Sequence, residues 1–328
     1  MTLNVPLDQP VRFQPFFRPM AWGGCGLARF LGKNLPAGVS CGESWEVSDH
    51  PLHASVVATG TLFGDTLRHL MTRHREELLG PAATRFDRFP WLIKLLDAAD
   101  WLSVQVHPDE RHVRELLPGE GAKTEAWLAL DARPGSLIYA GLRPGIGPSE
   151  LRAALQGGTV ADCLYRFEPS RGDLMFLPAG TVHAVGGGVL LAEIQQTSDA
   201  TFRLYDWDRK DAQGRSRPLH IEQALACIDW QQGPRDPIAT TLMEGLGREW
   251  QTELVRCPYF IIDHLRRESA FSLGGAGRLQ ALIVAEGRGR LDNGEFVMAG
   301  DAWVLPASMP AMTLHPEGAL SALLCSLP

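Results

Sequence analysis

A mainly β chain made of two related barrel units, with a few helices, is what this sequence predicts, and three observations predict it. The 34 glycines and 23 prolines are spread as punctuation between short apolar runs, the texture of strands joined by turns. Stretches with helical periodicity are few. One pattern also occurs twice, as GDLMFLPAGTVHA (Gly172 to Ala184) and as GDAWVLPASMPAM (Gly300 to Met312). Both copies run Gly-Asp, then alternating apolar residues, then Leu-Pro-Ala. Where the first copy has Gly180 and His183, the second has Ser308 and Ala311. The second unit is therefore read as a repeat that has lost its histidine.

In chain order, the runs SWEVSDH, SVVAT, FPWLIKLLDA, LSVQVH, EAWLALDA, SLIYAGL, DLMFLPA, GGVLLAEIQQ and FRLYDWD are predicted strands. Each is short, rich in β-branched or aromatic residues, and bounded by turn formers. TLFGDTLRHLMTRHREELL has apolar residues at helical spacing, SELRAALQG reads as a short helix capped by Ser149, and IEQALACIDW as another. After residue 209 the texture changes to the polar, turn-rich RKDAQGRSRPL. Strands resume with YFIIDHL, LQALIVAEG, EFVMAG and DAWVLPA. A boundary between 235 and 255 follows, dividing a catalytic domain (1–240) from a smaller β domain (241–328).

Composition narrows the function. Of 328 residues, 45% are hydrophobic and 21% charged, ordinary values for a chain with a buried core. A net charge of −7 and no basic run disfavour a nucleic-acid partner. The six cysteines contain no C-x-x-C pair and read as reduced thiols. MTLNVPLDQP lacks the basic and apolar regions of a signal peptide, and no segment approaches the ~18 apolar residues of a membrane span. The expectation is a soluble cytoplasmic protein; oligomeric state is not legible.

The chemistry starts at LSVQVHPDE, Leu102 to Glu110. Alternation puts Ser103, Gln105 and His107 on one strand face and Leu102, Val104 and Val106 on the other. The G-x5-P-x-G-x2-H segment (Gly172, Pro178, Gly180, His183) matches the second motif of the cupin (jelly-roll) barrels, which implies a metal held by residues of facing strands. Gln105 and His107 are candidate partners, and Glu125 in GAKTEAW is the fourth candidate. Two His nitrogens, a carboxylate and an amide oxygen make a hard-to-borderline ligand set, with zinc leading and iron, manganese or cobalt also suited. His50 and His53 are read as a solvated loop. His69, His74 and His112 are read as surface residues, while His220, His264 and His315 lie in no motif.

QVHPDE, GAKTEAW, LPAGTVHA and LLAEIQQTSDATFRLYDWDR, taken in order, resemble the type I phosphomannose isomerases, the zinc-dependent mannose-6-phosphate isomerases. The amino-terminal WGG (Trp22 to Gly24) and CGESWEVS (Cys41 to Ser48) agree. The match is dense from about residue 15 to 210, and the short interval between Glu125 and His183 is that of the short bacterial form. The resemblance implies one metal, Zn2+, on His107, Glu125 and His183 with Gln105 as fourth ligand, and Arg203 as the catalytic arginine. It also implies that Lys94 and Lys123 lie near the substrate. Thr197 departs from the family's usual Asn.

Isomerisation between an aldose and a ketose passes through an enediol(ate), whose charge a divalent cation and the permanently charged Arg203 offset. Lys94, Lys123 or Ser103 is expected to hold the phosphate. The base is left open among Glu193, Asp199 and Lys94, with an orienting contact to Arg203 the plainer role for the acids. Trp22 is expected to pack, and Glu43 to orient a ligand or serve a turn. Competing readings are an isomerase or epimerase of another sugar phosphate, a cupin dioxygenase, and a non-catalytic sugar-binding module.

Overall fold

The computed structural model describes residues 6–211, 213–239 and 247–328. Its strands are β1 (Val11–Arg12), β2 (Phe16–Arg18), β3 (Glu43–Val47), β4 (Asp49–His50), β5 (His53–Ala54), β6 (Trp91–Ala98), β7 (Val104–Val106), β8 (Glu125–Ala132), β9 (Ile138–Leu142), β10 (Leu164–Phe167), β11 (Leu174–Leu177), β12 (His183–Val185), β13 (Val189–Gln196) and β14 (Phe202–Tyr205). The second unit adds β15 (Trp250–Arg256), β16 (Ile261–Arg267), β17 (Phe271–Leu273), β18 (Gln280–Glu286), β19 (Arg288–Leu291), β20 (Phe296–Met298), β21 (Ala302–Leu305), β22 (Met312–Pro316) and β23 (Leu320–Ser326). The α-helices are α1 (Gly26–Leu31), α2 (Leu67–Arg73), α3 (Arg75–Leu79), α4 (Glu110–Leu116), α5 (Pro148–Gly157) and α6 (Ile221–Cys227).

In the first unit, a sheet ordered β11-β8-β13-β6-β3-β2 faces one ordered β10-β9-β12-β7-β14. All the pairings are antiparallel. The two sheets form an open jelly-roll sandwich; hydrogen bonding does not join them into a closed barrel. Alternation along the long strands divides their side chains. Trp91, Ile93 and Leu95 of β6, and Ala126, Leu128 and Leu130 of β8, join one core. Leu96, Trp127, Ala129 and Leu191 point the other way, between the two sheets.

The outward core continues into the second unit, where Ile262, Ala281, Ile283, Val304, Leu323 and Cys325 complete it. Each fully buried aliphatic side chain stabilises by about 1.5–3 kcal/mol, so this seam ties the two units into one body. The second unit's sheet, β1-β21-β18-β23-β16-β15, includes β1 from the amino terminus. Its opposite face packs on the β17-β22-β19-β20 sheet through Leu265, Leu282, Trp303 and Leu314. Helices α5 and α6 cover the outer face of the β7-containing sheet through Leu151, Ala224 and Leu225.

The repeat is physical. Gly172 and Gly300 both take φ 88. Asp173 accepts from Ser170 N at 2.8 Å, and Asp301 accepts from Met298 N at 3.0 Å. Beside them, Ala129 N donates to Asp173 O and Val284 N to Asp301 O, both at 2.9 Å. Among the described residues, the second unit has no counterpart to the cluster that the first unit builds around His183.

Several local expectations need correction. SVVAT is no strand, since only isolated bridges at Val56 and Val57 tie it down. The long helix expected from Thr61 to Leu79 is two short ones, because the chain turns through Gly64 at φ 84 and breaks again at His74. Gly147, not Ser149, caps α5, with Pro148 in the first turn and Glu150 accepting from Gly147 N at 3.0 Å. The acids after Pro108 open a helix that went unpredicted: Asp109 caps α4 by accepting from His112 N at 2.8 Å. The expected division at 240/241 falls at residues 240–246, outside the described residues.

Candidate metal centre and active site

The β7 strand and its exit place two candidate ligands. Gln105 pairs in register with both His183 of β12 and Arg203 of β14, so all three side chains share a face of one sheet. His107 follows immediately after β7. Its position is fixed by Gly180, whose N–H donates to His107 O at 2.9 Å. Gly180 has φ 86, and a Cβ there would meet the Asp229 side chain and the backbone of Cys227 and Asp229 at 3.0–3.1 Å. The Pro-Ala-Gly turn therefore needs its glycine both for conformation and for room. Glu125 opens β8 on the opposite sheet, in register with Leu177 and Gln195.

Across the sandwich these side chains meet. One ligand atom each from His107, Glu125 and His183 lies within 4.8 Å of the others, and all three residues are buried. His107 Nε2 is 3.3 Å from Glu125 Oε2, and His183 Nε2 is 3.3 Å from Glu125 Oε1. Each imidazole gives its other nitrogen to a backbone carbonyl: His107 Nδ1 to Ala200 O at 2.8 Å and His183 Nδ1 to Thr181 O at 2.9 Å. Those bonds fix the tautomer and turn both Nε2 lone pairs toward the centre. Burial, with Lys123 nearby, pushes the His107 pKa down to about 3. Burial also lowers that of His183. Both rings are neutral, as a metal ligand must be.

The donor set fits a divalent cation. Glu125 is fully enclosed, yet neither oxygen has an aligned hydrogen bond. Its pKa is held well below the usual range: burial works to raise it, but Lys123 and the two histidines outweigh that. Lys123 Nζ lies 2.9 Å from Glu125 Oε2 and 2.9 Å from His107 Nε2, a cation already drawn to the lone pairs that a metal would use. Gln105 Nε2 lies 3.2 Å from His183 Nε2. A half turn of the amide brings its oxygen inward, and Ser103 Oγ, 3.2 Å from the present Oε1, can serve either orientation.

Ser103, Gln105, Lys123 and Glu125 line one end of a cavity of about 270 Å³, also lined by Arg18, Trp22, Glu43, Lys94, Glu193, Asp199, Arg203 and Arg217. A chain of ion pairs crosses its floor. Asp199 Oδ1 lies 4.0 Å from Lys94 Nζ, Lys94 Nζ 4.0 Å from Glu193 Oε2, and Glu193 Oε1 3.6 Å from Lys123 Nζ. Burial pushes the Glu193 pKa up to about 7, against the pull of Lys94 and Lys123. Lys123 is held above the usual ammonium range, because Glu125 and Glu193 outweigh its burial. Arg18 donates to Glu43 at 3.1 Å and Asp199 at 3.2 Å.

At the Arg203 end the charge is positive. Arg217 grips Asp206 with two donors, Nε at 2.7 Å and Nη2, and Arg209 Nη1 lies 3.8 Å from the same carboxylate. Arg203 donates Nη1 to Pro218 O at 2.9 Å, and its Nε has no partner among the described residues. Burial and the neighbouring Arg217 depress its pKa.

Most of the sequence-selected residues are thus brought together: Gln105, His107, Glu125, His183, Lys94, Lys123, Ser103, Glu193, Asp199 and Arg203. Glu193 and Asp199 do not orient Arg203 directly; they pair with Lys94, Lys123 and Arg18. Glu43 reaches no ligand and instead accepts from Trp45 Nε1 at 2.7 Å. Trp22 both packs and walls the cavity. Thr197 Oγ1 donates to Phe89 O at 2.6 Å, outside the cavity. The reading of His50 as solvated is wrong: it is 3% exposed, packs edge-on against Trp45 and lies 3.4 Å from Glu120. His53 stacks on Phe16 at 4.0 Å. His74 and His112 are also buried, held by Glu77 and Asp109. Arg18, Trp127 and Arg217 were missed. Arg217 sits in the polar stretch read as a connector, and no local pattern marks Arg18.

Comparison with known proteins agrees with this geometry. Residues 11–126 match the family model described as phosphomannose isomerase type I, catalytic domain. The mannose-6-phosphate isomerase ManA of Bacillus subtilis is 37% identical over 311 residues, covering 94% of this chain and 96% of that protein. The mannose-6-phosphate isomerase of Streptococcus mutans is 36% identical, covering 92% and 93%. The crystal structure of the mannose 6-phosphate isomerase from Bacillus subtilis superposes with a TM-score of 0.84 at 31% identity, covering 98% of this chain and all of that one. With identity of this level over nearly the full length of both chains, and a match to the family's catalytic-domain model, the chain belongs to the type I phosphomannose isomerases.

Proposed function

We propose that this protein is a zinc-dependent aldose–ketose isomerase that interconverts mannose 6-phosphate and fructose 6-phosphate. The observation that carries the reading is the convergence of two neutral imidazoles and one ionised carboxylate on a shared point, with both outer ring nitrogens tied to backbone carbonyls. His107, Glu125 and His183, with Gln105 turned inward, are the proposed ligands. These residues would hold a divalent cation, which would supply Lewis-acid stabilisation of the enediolate charge.

The chain's own residues do the rest. Arg203 sits beside Gln105 in the sheet register and stabilises the negative charge that develops on the enediolate oxygens. Lys94, Glu193 and Asp199 are the candidate proton carriers on the cavity floor, linked by ion pairs, with Lys123 a fixed cation beside them. The proton that leaves C2 and returns to C1 is handled within that set. The acids dominate there, so the substrate's phosphate belongs at the opposite end, where Arg203 and Arg217 line the cavity and Asp206 is shared by Arg217 and Arg209. This replaces the expectation that the lysines hold the phosphate. Ser103, between the two ends, is placed to hold a sugar hydroxyl. Trp22, Leu96, Leu102 and Trp127 wall the cavity and limit water.

Six free thiols, four of them buried, suit the reducing cytoplasm. No described helix is long and apolar enough to cross a membrane. The test is turnover of mannose 6-phosphate to fructose 6-phosphate before and after chelation, together with metal analysis. Full activity in a chelated, metal-free enzyme would exclude the reading. Oxygen uptake would move the site to dioxygenase chemistry.

A further inference from the structure

A second cavity, larger than the one beside the candidate ligand cluster, opens elsewhere in the described structure. It is a cleft of about 540 Å³ at the seam between the two β units, twice the volume of the active-site cavity. One wall is the outward face of β8, Leu128 and Leu130, with Arg171 beside it. The other is built by Trp250 of β15, His264 and Arg266 of β16, Glu286 of β18 and Ser321 of β23.

This end of the seam differs from the rest. Elsewhere the two units meet through closely packed aliphatic side chains. Here the packing opens, and polar groups stand where apolar ones would have sealed it. His264 is 4% exposed; its Nε2 shares a hydrogen bond with Ser321 Oγ at 2.7 Å, but its Nδ1 has no partner among the described residues. The indole N–H of Trp250, which packs edge-on to His264 at 4.8 Å, is also buried without an acceptor among the described residues. Buried polar groups are nearly always satisfied, so two unpaired ones on residues that line the same cleft mark this end of the seam as incompletely satisfied by the described residues.

The charge says what kind of group would complete it. Arg171, Arg248 and Arg266 line the cleft with one acid, Glu286, in a chain whose net charge is −7. Arg171 Nη2 is only 3.4 Å from Glu286 Oε2, while Arg266 and Arg248 approach Glu268 at 3.1 and 3.8 Å. The side chains of Arg171 and Arg248 are 58% and 88% exposed, so their donors are open to exchange. An oxyanion fits the guanidinium groups. A hydroxylated ring fits an aromatic and aliphatic floor edged with His and Ser donors.

We propose that this inter-unit cleft is a second, non-catalytic binding site for a sugar phosphate, with the phosphate on Arg171 and Arg266 and the ring against Trp250 and His264. Its location gives it reach. Leu128 and Leu130 belong to the strand that starts at Glu125, so a ligand there rests on the reverse face of a strand that carries a candidate metal ligand.

Calorimetric titration of the metal-loaded protein with fructose 6-phosphate tests this. Two equivalents per chain are expected. The Arg171→Ala/Arg266→Ala variant is expected to bind one and keep its turnover of mannose 6-phosphate. Trp250→Phe, which keeps the packing but removes the N–H, is expected to weaken the second equivalent by about tenfold. Inorganic phosphate is expected to displace that equivalent only at higher concentration, and fructose not at all. A single equivalent in the wild-type protein, or two unchanged equivalents in the double variant, would overturn the proposal. Displacement by fructose as effective as by the sugar phosphate would equally remove its anionic basis.

Discussion

Replacing Glu125 with Gln keeps the shape of the side chain and removes only its charge, which makes the consequences calculable. Glu125 is 0% exposed and faces Lys123 at 2.9 Å and both histidines at 3.3 Å. Cutting a buried ion pair by removing one partner typically costs about 3–5 kcal/mol, because a charge is left stranded. Lys123 is not stranded, however, since Glu193 remains at 3.6 Å. At an effective dielectric of about 20, attraction at that distance is roughly four-fifths of the attraction lost. The expected cost to the metal-free protein is therefore below that range, about 2 kcal/mol, seen as a fall of a few degrees in Tm.

Metal binding should suffer far more. The only anionic member of the proposed ligand set becomes neutral, leaving an amide oxygen as a weaker donor. A loss of at least about a hundredfold in zinc affinity is expected, read by elemental analysis after dialysis against a competing chelator. Turnover should fall in proportion to the metal lost. A Glu125→Gln protein that retains one zinc per chain and normal activity would refute the placement of the site. A collapse of the fold, in place of a shift of a few degrees, would refute the claim that Glu193 backs up the pair.

Arg203→Ala should keep its metal and lose about 10²–10³-fold in kcat, since it removes a charge facing the transition state; parallel loss of metal would assign it a structural role. Arg217→Ala should raise KM for the phosphorylated substrate by about tenfold, with a smaller change in kcat; an unchanged KM would move the phosphate away from this end. His264 gives a pH signature. Burial lowers its folded pKa to about 4, below its ordinary 6.5. The stability tied to its neutral form is thus complete above pH 6.5 and is lost as pH falls toward 4, by up to about 3 kcal/mol. His264→Gln should lose that component between pH 7 and 4.5 in urea unfolding, and parallel wild-type and variant curves would refute it.

Sequence alone reached the ligand set because the chemistry is written in short local patterns. Strand alternation put Ser103, Gln105 and His107 on one face, and the Pro-Ala-Gly turn announced His183. The repeat at Gly172 and Gly300 was legible for the same reason: a glycine at positive φ followed by a capping Asp is a local requirement. Burial of histidines was less legible. His50 and His112 sit among Asp, Pro and Arg, and only packing from distant segments removes them from water.

What the sequence by itself determined was which residues have metal-ligand chemistry and which way each points from its own strand, since a period of two is a property of the chain. The tertiary structure decided what faces them. Two sheets brought Glu125 between His107 and His183, set acids and lysines at one end of the cavity and arginines at the other, and drew Arg217 out of an apparent connector. It also left a charged cleft between the two units. Those outcomes depend on contacts between residues far apart in sequence, and the electrostatic balance of a buried site is fixed only once such contacts form.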